Sequence, residues 1–328
     1  MHLSFKRIGF GLVLWLFLTE VPHAAVRDGG FPDKPIKIVV PYPPGGFTDV
    51  LGRLIAEKLS VSFAQPVIVD NRGGGGSTIG SLIVAKAPAD GYTLLLVAAD
   101  LAINESLLQG KLPYDTRKDF APVIQAARSP LVFVVYPSLK AGSIQEFIAL
   151  AKAEPGKINV GSGGNGTGAH LALEMFKARA GIDVLHVPYK GNGPALTDLL
   201  GGQISAMFLP YPLARPHIEA GKLRVLGTAN RRRAAAIPQV PTIAESGLPG
   251  FEAQSWFGIV APAGTPAPII SRLNAEIAKV MRQPEIKEKL AVQGAESAAS
   301  TPAEFKAFIG SEITRWAQVV KDSGAKAD

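Results

Sequence analysis

One stretch of the sequence decides the fold: residues 36–59 read IKIVVPYPPGGFTDVLGRLIAEKL. The β-branched run Ile36–Val40 is typical of a strand, and the proline- and glycine-rich turn Pro41–Gly46 ends it. From Thr48 to Leu59 the apolar residues recur with a helical period. Three further segments continue as strand, helix and strand: Val67–Val69, Ile79–Lys86 and Thr93–Val97. This order predicts a βαβ unit, in which helices cover both faces of a parallel sheet.

A second cycle of the same kind follows a crossing near residues 122–130. Strands are predicted at Leu131–Tyr136, Ile158–Val160, Val184–Val187, Ile204–Phe208, Leu223–Leu226 and Trp256–Val260. Helices are predicted at Ser143–Ala153, Gly168–Ala180, Ala195–Leu200, a short turn Thr242–Gly247, Pro268–Met281, Glu285–Val292 and Pro302–Val320. A chain of 328 residues is long enough for two domains. We therefore expect an α/β fold with two lobes, each built on a mainly parallel sheet flanked by helices.

The N-terminal segment predicts export. Two basic residues precede the uncharged apolar run Ile8–Leu18, and Ala24 and Ala25 follow it. A basic start, a short apolar core and a small-residue end are typical of a secretory signal peptide, here residues 1–25. The run is shorter than the roughly 20 apolar residues that span a bilayer. Because a histidine or a proline stands where the cleavage site prefers a small residue, an uncleaved membrane anchor is the alternative.

The composition excludes several kinds of site. The sequence has no cysteine, and therefore no disulfide, thiolate metal site or cysteine nucleophile. The formal net charge is +7, and the basic residues are spread along the chain. The short cluster Arg231–Arg233 lacks interleaved aromatic residues, so it indicates a solvated face rather than a nucleic-acid patch. We expect no nucleic-acid partner, although a positive field favours the approach of small anions.

Two glycine-rich junctions between a strand and a helix are the main functional signal. They read YPPGGFTD at residues 42–49 and GSGGNGTGAH at residues 161–170. In each, a threonine, Thr48 or Thr167, takes the position of a helix N-cap. Free N–H groups at a helix start and the helix dipole bind anions, and glycines let a ligand approach the backbone. Each lobe is then expected to hold one carboxylate end of a ligand without an arginine, with ordinary tight turns as the alternative.

Other motifs point away from catalysis. Residues 161–166 match G-x-G-x-x-G, but the strand at residues 184–190 lacks the acidic residue that a dinucleotide-binding fold uses for the ribose. The glycine loop Asn71–Thr78 lacks the ending of a P-loop and is expected to line the cleft mouth or act as a hinge. Within it, Arg72 pairs with a ligand carboxylate or with a surface acid. No H-E-x-x-H or G-x-S-x-G motif occurs, so we predict no enzyme, no metal and no cofactor.

Many short motifs occur in an order that is specific, although no single motif is. They are Pro41-Tyr42 with Pro44–Gly46 and Asp49, Asp70–Arg72, Ala89–Leu94, Gly166-Thr167 with His170-Leu171, His186–Gly191, Pro194–Leu196, Gly201–Gln203, Pro216–Ile218 with Ala220–Leu223, Val240–Thr242 and Gly247–Phe251. With these motifs, almost the whole chain after the N-terminal segment resembles the substrate-binding proteins of tripartite tricarboxylate transporters, often called the Bug family.

The resemblance implies a periplasmic two-lobed clamp of the Venus-flytrap type, with crossover strands at the hinge. Lobe 1 then comprises residues 35–128 plus 255–328, and lobe 2 comprises residues 129–254. The implied function is to capture a small carboxylate-bearing metabolite and deliver it to the transmembrane permease subunits of the transporter. We expect a monomer. The alternative role is a ligand-loaded messenger to a sensor kinase.

The ligand-binding residues implied by the resemblance lie on both junctions. Lobe 1 contributes Tyr42, Gly46, Phe47, Thr48 and Asp49, and lobe 2 contributes Ser162, Gly166, Thr167, Gly168 and His170. The predicted set is completed by Ser77, Asp100, Tyr189 and Lys190. His170 is expected either to donate to the ligand or to cap local backbone. Asp49, at a helix start, is expected to fix its loop.

The sequence also departs from the family pattern, at Ser205-Ala206, at Leu209 and at Asp100. Asp100 is predicted at the end of the third strand, where a small polar residue is expected. If Asp100 faces the cleft, it repels a carboxylate and favours an amine or an amide. An amino acid or a neutral amide such as a nicotinamide-like compound is therefore the alternative ligand.

Overall fold

The computed structural model describes residue 2 and residues 30–326. Apart from residue 2, the predicted signal peptide at residues 1–25 lies outside the described residues. In chain order the elements are β1 (Ile36–Val40), α1 (Phe47–Phe63), β2 (Val67–Asn71), α2 (Thr78–Ala85), β3 (Thr93–Val97), α3 (Asp100–Leu107), β4 (Phe120–Ser129), β5 (Leu131–Val135), α4 (Ile144–Ala153), β6 (Asn159–Ser162), α5 (Gly168–Ala180), β7 (Leu185–Pro188), α6 (Asn192–Leu200), β8 (Ala206–Pro210), α7 (Tyr211–Glu219), β9 (Arg224–Thr228), β10 (Ser255–Pro262), α8 (Ala267–Arg282), α9 (Pro284–Val292), β11 (Glu296–Ser297) and α10 (Pro302–Ser323).

Six strands form the sheet of the first lobe, in the order β11-β4-β10-β3-β1-β2. Strand β1 pairs in parallel with β2 and β3, whereas β10 runs antiparallel to β3 and β4. Ile38 and Val39 are both fully buried, although they point to opposite faces and pack into different apolar clusters. Such two-sided burial explains why the run Ile36–Val40 is apolar almost without alternation.

Five strands form the sheet of the second lobe, in the order β7-β6-β8-β5-β9. Strand β6 pairs in parallel with β7 and β8, whereas β5 runs antiparallel to β8 and β9. In both lobes the parallel strands are followed by helices. The carboxyl ends of those strands, where ligands of open α/β sheets bind, therefore carry the glycine-rich junctions.

The chain crosses between the lobes through β4 and returns through β10, and these two strands pair with each other. Beside this crossing, helix α10 buries Glu312, which accepts hydrogen bonds from Nε1 of Trp256 at 2.8 Å and of Trp316 at 3.1 Å. Arg315 donates to the same carboxylate at 2.8 Å. Because its donors satisfy it, the buried carboxylate stabilises the packing of α10 against the hinge.

The predicted two-lobed α/β fold is confirmed, although each sheet mixes parallel and antiparallel pairs. The sequence patterns do not predict α3, α7 or β11, and they treat β4 only as a crossing. The short turn predicted at Thr242–Gly247 is present as a single hydrogen-bonded turn, in which the N–H of Ser246 donates to the carbonyl oxygen of Thr242 at 3.1 Å, and it does not extend into a regular helix. Within residues 30–326, no helix combines the length and the apolar character needed to cross a bilayer.

Candidate functional site

The first junction ends β1 and begins α1. Gly45 has a φ of 93°, and Gly46 takes the N-cap position. The prediction of Thr48 as the N-cap is wrong, because the helix already begins at Phe47 and Thr48 lies within its first turn. No side chain caps this helix among the described residues. Its first N–H groups therefore have no partner within the helix and can serve an anion.

Asp49 holds the first junction in shape. Its Oδ2 accepts from the N–H of Gly45 at 3.1 Å and from Nε of Arg53 at 3.2 Å, and its Oδ1 accepts from Nδ2 of Asn71 at 3.0 Å. Burial by itself raises the pKa of Asp49, but the hydrogen bonds from Arg53, Gly45 and Asn71 outweigh it and leave the pKa lowered. Asp49 is therefore an ionised residue that fixes the loop.

The second junction ends β6 and begins α5. Thr167 is the N-cap, as predicted, and its hydroxyl accepts from the N–H of His170 at 3.3 Å. Nδ1 of His170 accepts from the N–H of Gly166 at 3.1 Å, so this nitrogen is unprotonated and supports the loop backbone. Oγ of Ser162 lies 2.6 Å from Nε2 of His186, whose ring stacks on His170 with the centroids 4.4 Å apart. These side chains position the loop.

A cavity of about 70 Å³ lies between the two junctions, and we name it the inner cavity. Its wall contains Tyr42–Pro44, Gly46–Thr48, Ala98–Asp100, Gly163, Thr167–Ala169, Gly191–Pro194 and the hinge residues Leu131, Pro210 and Ser255–Phe257. Among these described residues, Asp100 is the only one with a charged side chain. The described residues also contain no group of three or more side chains suited to hold a metal ion.

Five helices begin at the inner cavity: α1, α3, α5, α6 and α7. Helices α1 and α6 start at Gly46 and Gly191 without a side-chain cap, and the cap of α5 occupies only the N–H of its third residue. Helix α3 carries Asp100 in its first turn, and the first N–H of α7 donates to the carbonyl oxygen of Pro130 at 2.9 Å. The starts of α1, α5 and α6 therefore provide N–H groups and positive dipole ends for an anion.

Tyr42 and Asp100 form a pair in the wall of the inner cavity. Asp100 lies in the first turn of α3, contrary to its predicted place at the end of a strand, and its Oδ1 accepts from the Tyr42 hydroxyl at 2.5 Å. Burial raises the pKa of Asp100, while the nearby hydroxyls of Ser77 and Tyr42 oppose that shift. Burial and the adjacent Asp100 raise the pKa of Tyr42 well above its ordinary value, so the phenol keeps its proton. The Asp100 carboxylate therefore lies in the wall of the inner cavity and accepts a hydrogen bond from Tyr42 there.

The structure distributes the predicted residues over three places. Seven line the inner cavity: Tyr42, Gly46, Phe47, Thr48, Asp100, Thr167 and Gly168. Three others line a second cavity of about 550 Å³, which we name the outer cavity and which Tyr42 also lines: Ser77, Tyr189 and Lys190. Four line neither cavity: Asp49, Ser162, Gly166 and His170. Arg72 forms an ion pair with Asp70 at 2.9 Å.

Sequence reasoning did not find the third junction, Gly191–Pro194, which lines the inner cavity at the start of α6. A signal for it exists, because this Gly-Asn-Gly-Pro segment also stands between a strand and a helix. Trp256 was not predicted either. It reaches the cavity wall from β10, where Glu312 accepts its indole N–H.

Comparison with known proteins gives a consistent set of relatives. The TctC model, described as the tripartite tricarboxylate transporter family receptor, matches residues 51–325. Protein BugT of Bordetella pertussis is 42% identical over 317 residues, which cover 96% of this chain and 97% of BugT. Rhodopseudomonas palustris Rpa4515, solved with adipate, has a TM-score of 0.87 at 36% identity and covers 91% of this chain and 100% of its own. MatC of the same organism, solved with bound malate, has a TM-score of 0.84 at 31% identity. The match covers 88% of this chain and 100% of the MatC chain.

The Asp49 carboxylate makes the free energy of unfolding depend on pH. The pKa of Asp49 is lower in the folded state than in the unfolded state, so ionised Asp49 stabilises the fold. This stabilisation is complete above the unfolded-state pKa of about 3.9, and it is lost as the pH falls through the lower folded-state pKa. We expect Asp49→Asn to lower the free energy of unfolding by about 1–3 kcal/mol near neutral pH. That difference should shrink below about pH 4. Urea unfolding of both proteins at several pH values measures it, and a difference that stays constant on acidification contradicts the assignment.

Proposed function

This chain belongs to the tripartite tricarboxylate transporter receptor family, and on that premise we propose that it captures a small dicarboxylate in the periplasm and delivers it to the membrane subunits of such a transporter. Membership makes it a solute-binding receptor rather than an enzyme. The relatives solved with adipate and with malate support a dicarboxylate as the ligand class.

The observation that carries the proposal is the inner cavity itself. It offers the starts of three helices and no cationic side chain among its described lining residues. Backbone N–H groups and helix dipoles bind a carboxylate there, and they are already fixed in position by Asp49, Thr167 and His170. Asp100 also lines this cavity, which is the condition for the alternative amine or amide ligand, and its carboxylate keeps further acceptor sites beside the hydrogen bond from Tyr42.

Binding is coupled to closure of the two lobes, residues 35–128 plus 255–328 and residues 129–254. The inner cavity takes its wall from both, with α1 on one side and α5 and α6 on the other. A ligand that contacts both sides shifts the population towards the closed form, because only that form offers both sets of N–H groups. The membrane subunits then receive the closed, loaded form.

A thermal-shift screen of the mature protein tests the ligand class. We expect malate, adipate and related dicarboxylates to raise the melting temperature, because a ligand at about 100 times its dissociation constant stabilises the folded state by about 2.7 kcal/mol. Amino acids with a single carboxylate, nicotinamide and simple amines should leave the melting temperature unchanged. If only amines or amides raise it, the dicarboxylate proposal is wrong.

Closure itself is tested at Gly76, in the loop before α2. Its φ is 58°, and a Cβ added there would overlap the carbonyl oxygen of Asn165 in the opposite lobe. We expect Gly76→Ala to weaken dicarboxylate binding by about tenfold or more, because the closed form becomes less populated. Isothermal titration with adipate measures the affinity, and small-angle scattering with and without adipate measures the closure.

The matched control is Gly110→Ala. Gly110 has a similar φ of 76°, but a Cβ there meets nothing within 4 Å. Both variants should lose about 1 kcal/mol of stability to backbone strain, and only Gly76→Ala should lose affinity. Equal affinities for the two variants would show that the contact between Gly76 and Asn165 is not part of closure.

A further inference from the structure

The outer cavity lies next to the inner cavity and shares Tyr42 and Gly163 with it. Its remaining wall comes from both lobes: Gly74–Thr78 and the end of α3 on one side, and Gly164, Asn165 and Pro188–Lys190 on the other. The two cavities therefore form neighbouring compartments of one cleft. A ligand that enters between the lobes meets both.

The two compartments differ strongly in size. The inner cavity measures about 70 Å³ and the outer cavity about 550 Å³. A single water needs roughly 10–15 Å³ by the same kind of measure, so the inner cavity holds one carboxylate and few further atoms. The rest of an elongated ligand must then extend past Tyr42 and Gly163 into the outer cavity.

The two compartments also differ in charge. The only charged side chains among the described residues of the outer cavity are two lysines, Lys111 and Lys190. Both are exposed, and neither forms an ion pair with another described residue. One comes from each lobe, after α3 and after β7. No lysine, by contrast, is among the described residues that line the inner cavity.

Ser77 adds a buried polar group to the wall of the outer cavity. The residue is 1% exposed, and its hydroxyl forms no well-aligned hydrogen bond with a described residue. It lies close enough to the Asp100 carboxylate to lower its pKa. The Ser77 hydroxyl therefore serves the Asp100 carboxylate, and the side chains left to bind an anion in the outer cavity are the two lysines.

Tyr189 gives the same cavity an apolar wall. Its hydroxyl donates to Oδ2 of Asp198 at 2.6 Å, and burial together with Asp198 raises the pKa of Tyr189 to about 12. The phenol is therefore protonated and committed to Asp198. Only the aromatic ring of Tyr189 is then available to a ligand, and its face or edge can pack against a methylene chain.

We propose that the outer cavity is a second anion subsite, which binds the distal carboxylate of an elongated dicarboxylate through Lys111 and Lys190. The first carboxylate of the same ligand sits at the helix starts of the inner cavity, and the methylene chain passes Tyr42 and packs on Tyr189. This inference rests on the proposed function and names the ligand class within it. The chain then selects long dicarboxylates over monocarboxylates of the same length.

Isothermal titration with adipate and with hexanoate tests the subsite, because the two acids share a carbon chain and differ in the second carboxylate. We expect Lys111→Gln and Lys190→Gln each to weaken adipate binding by up to about fivefold, which is the range of an exposed ion pair. Hexanoate binding should change by less than about twofold. Added salt should weaken adipate binding to the wild type more than to the double variant, because exposed charges are screened.

A control variant separates the subsite from nonspecific effects. Lys157→Gln removes an exposed lysine remote from both cavities and should leave both affinities unchanged.

The outcomes distinguish the subsite from the proposed function. Loss of adipate affinity in the lysine variants, with hexanoate affinity kept, supports the subsite. Adipate affinity equal to that of the wild type in the double variant overturns the subsite and leaves the proposed function standing. Failure of the wild type to bind any carboxylate overturns the proposed function and the subsite with it.

Discussion

The structure depends on one constraint: three helix starts converge on a small cavity that has no cationic side chain among its described lining residues. An isolated helix start carries only a fraction of a positive charge, and water screens it easily. Three of them around one enclosed space offer several N–H groups in fixed positions and in a less polar surrounding. Chain direction brings them together, because parallel strands end on the same edge of each sheet and the two edges face each other across the cleft.

The polar residues of the two junctions are explained by this constraint. Gly46 and Gly191 start their helices without a competing side chain, so the N–H groups stay available. Asp49 and His170 form hydrogen bonds with the loops behind the cavity and keep the backbone in place. Asp100 also lies in the cavity wall, where its carboxylate accepts a hydrogen bond from the Tyr42 hydroxyl. The site is therefore preorganised by side chains that need not touch the ligand.

Much of this architecture could be predicted from the sequence, because β-branched runs and helical periods are local signals. The run Ile36–Val40 and the helix after Gly46 follow from such signals. Helix α3 was not predicted, because it follows β3 after only two residues and its N-cap residue, Ala99, has no side chain that could cap it. Helix α7 contains Pro216, which normally argues against a helix interior.

The site was predictable only in part. The glycine junctions are local and were found, whereas the direction of a side chain depends on partners that lie far away in sequence. Asp49 turns away from the cavity because Asn71, on another strand, donates to it. The outer cavity requires both lobes, so no single segment indicates that Lys111 and Lys190 share it. Its existence follows from tertiary structure alone.

A crystal structure of the protein with adipate would test the central claim most directly. The helix starts predict one carboxylate in the inner cavity, with oxygens within about 3 Å of main-chain N–H groups at the beginning of α1 and of α5 or α6. The other carboxylate should lie in the outer cavity. A complex in which no carboxylate oxygen reaches a helix start, and in which side chains alone hold the ligand, would contradict the claim.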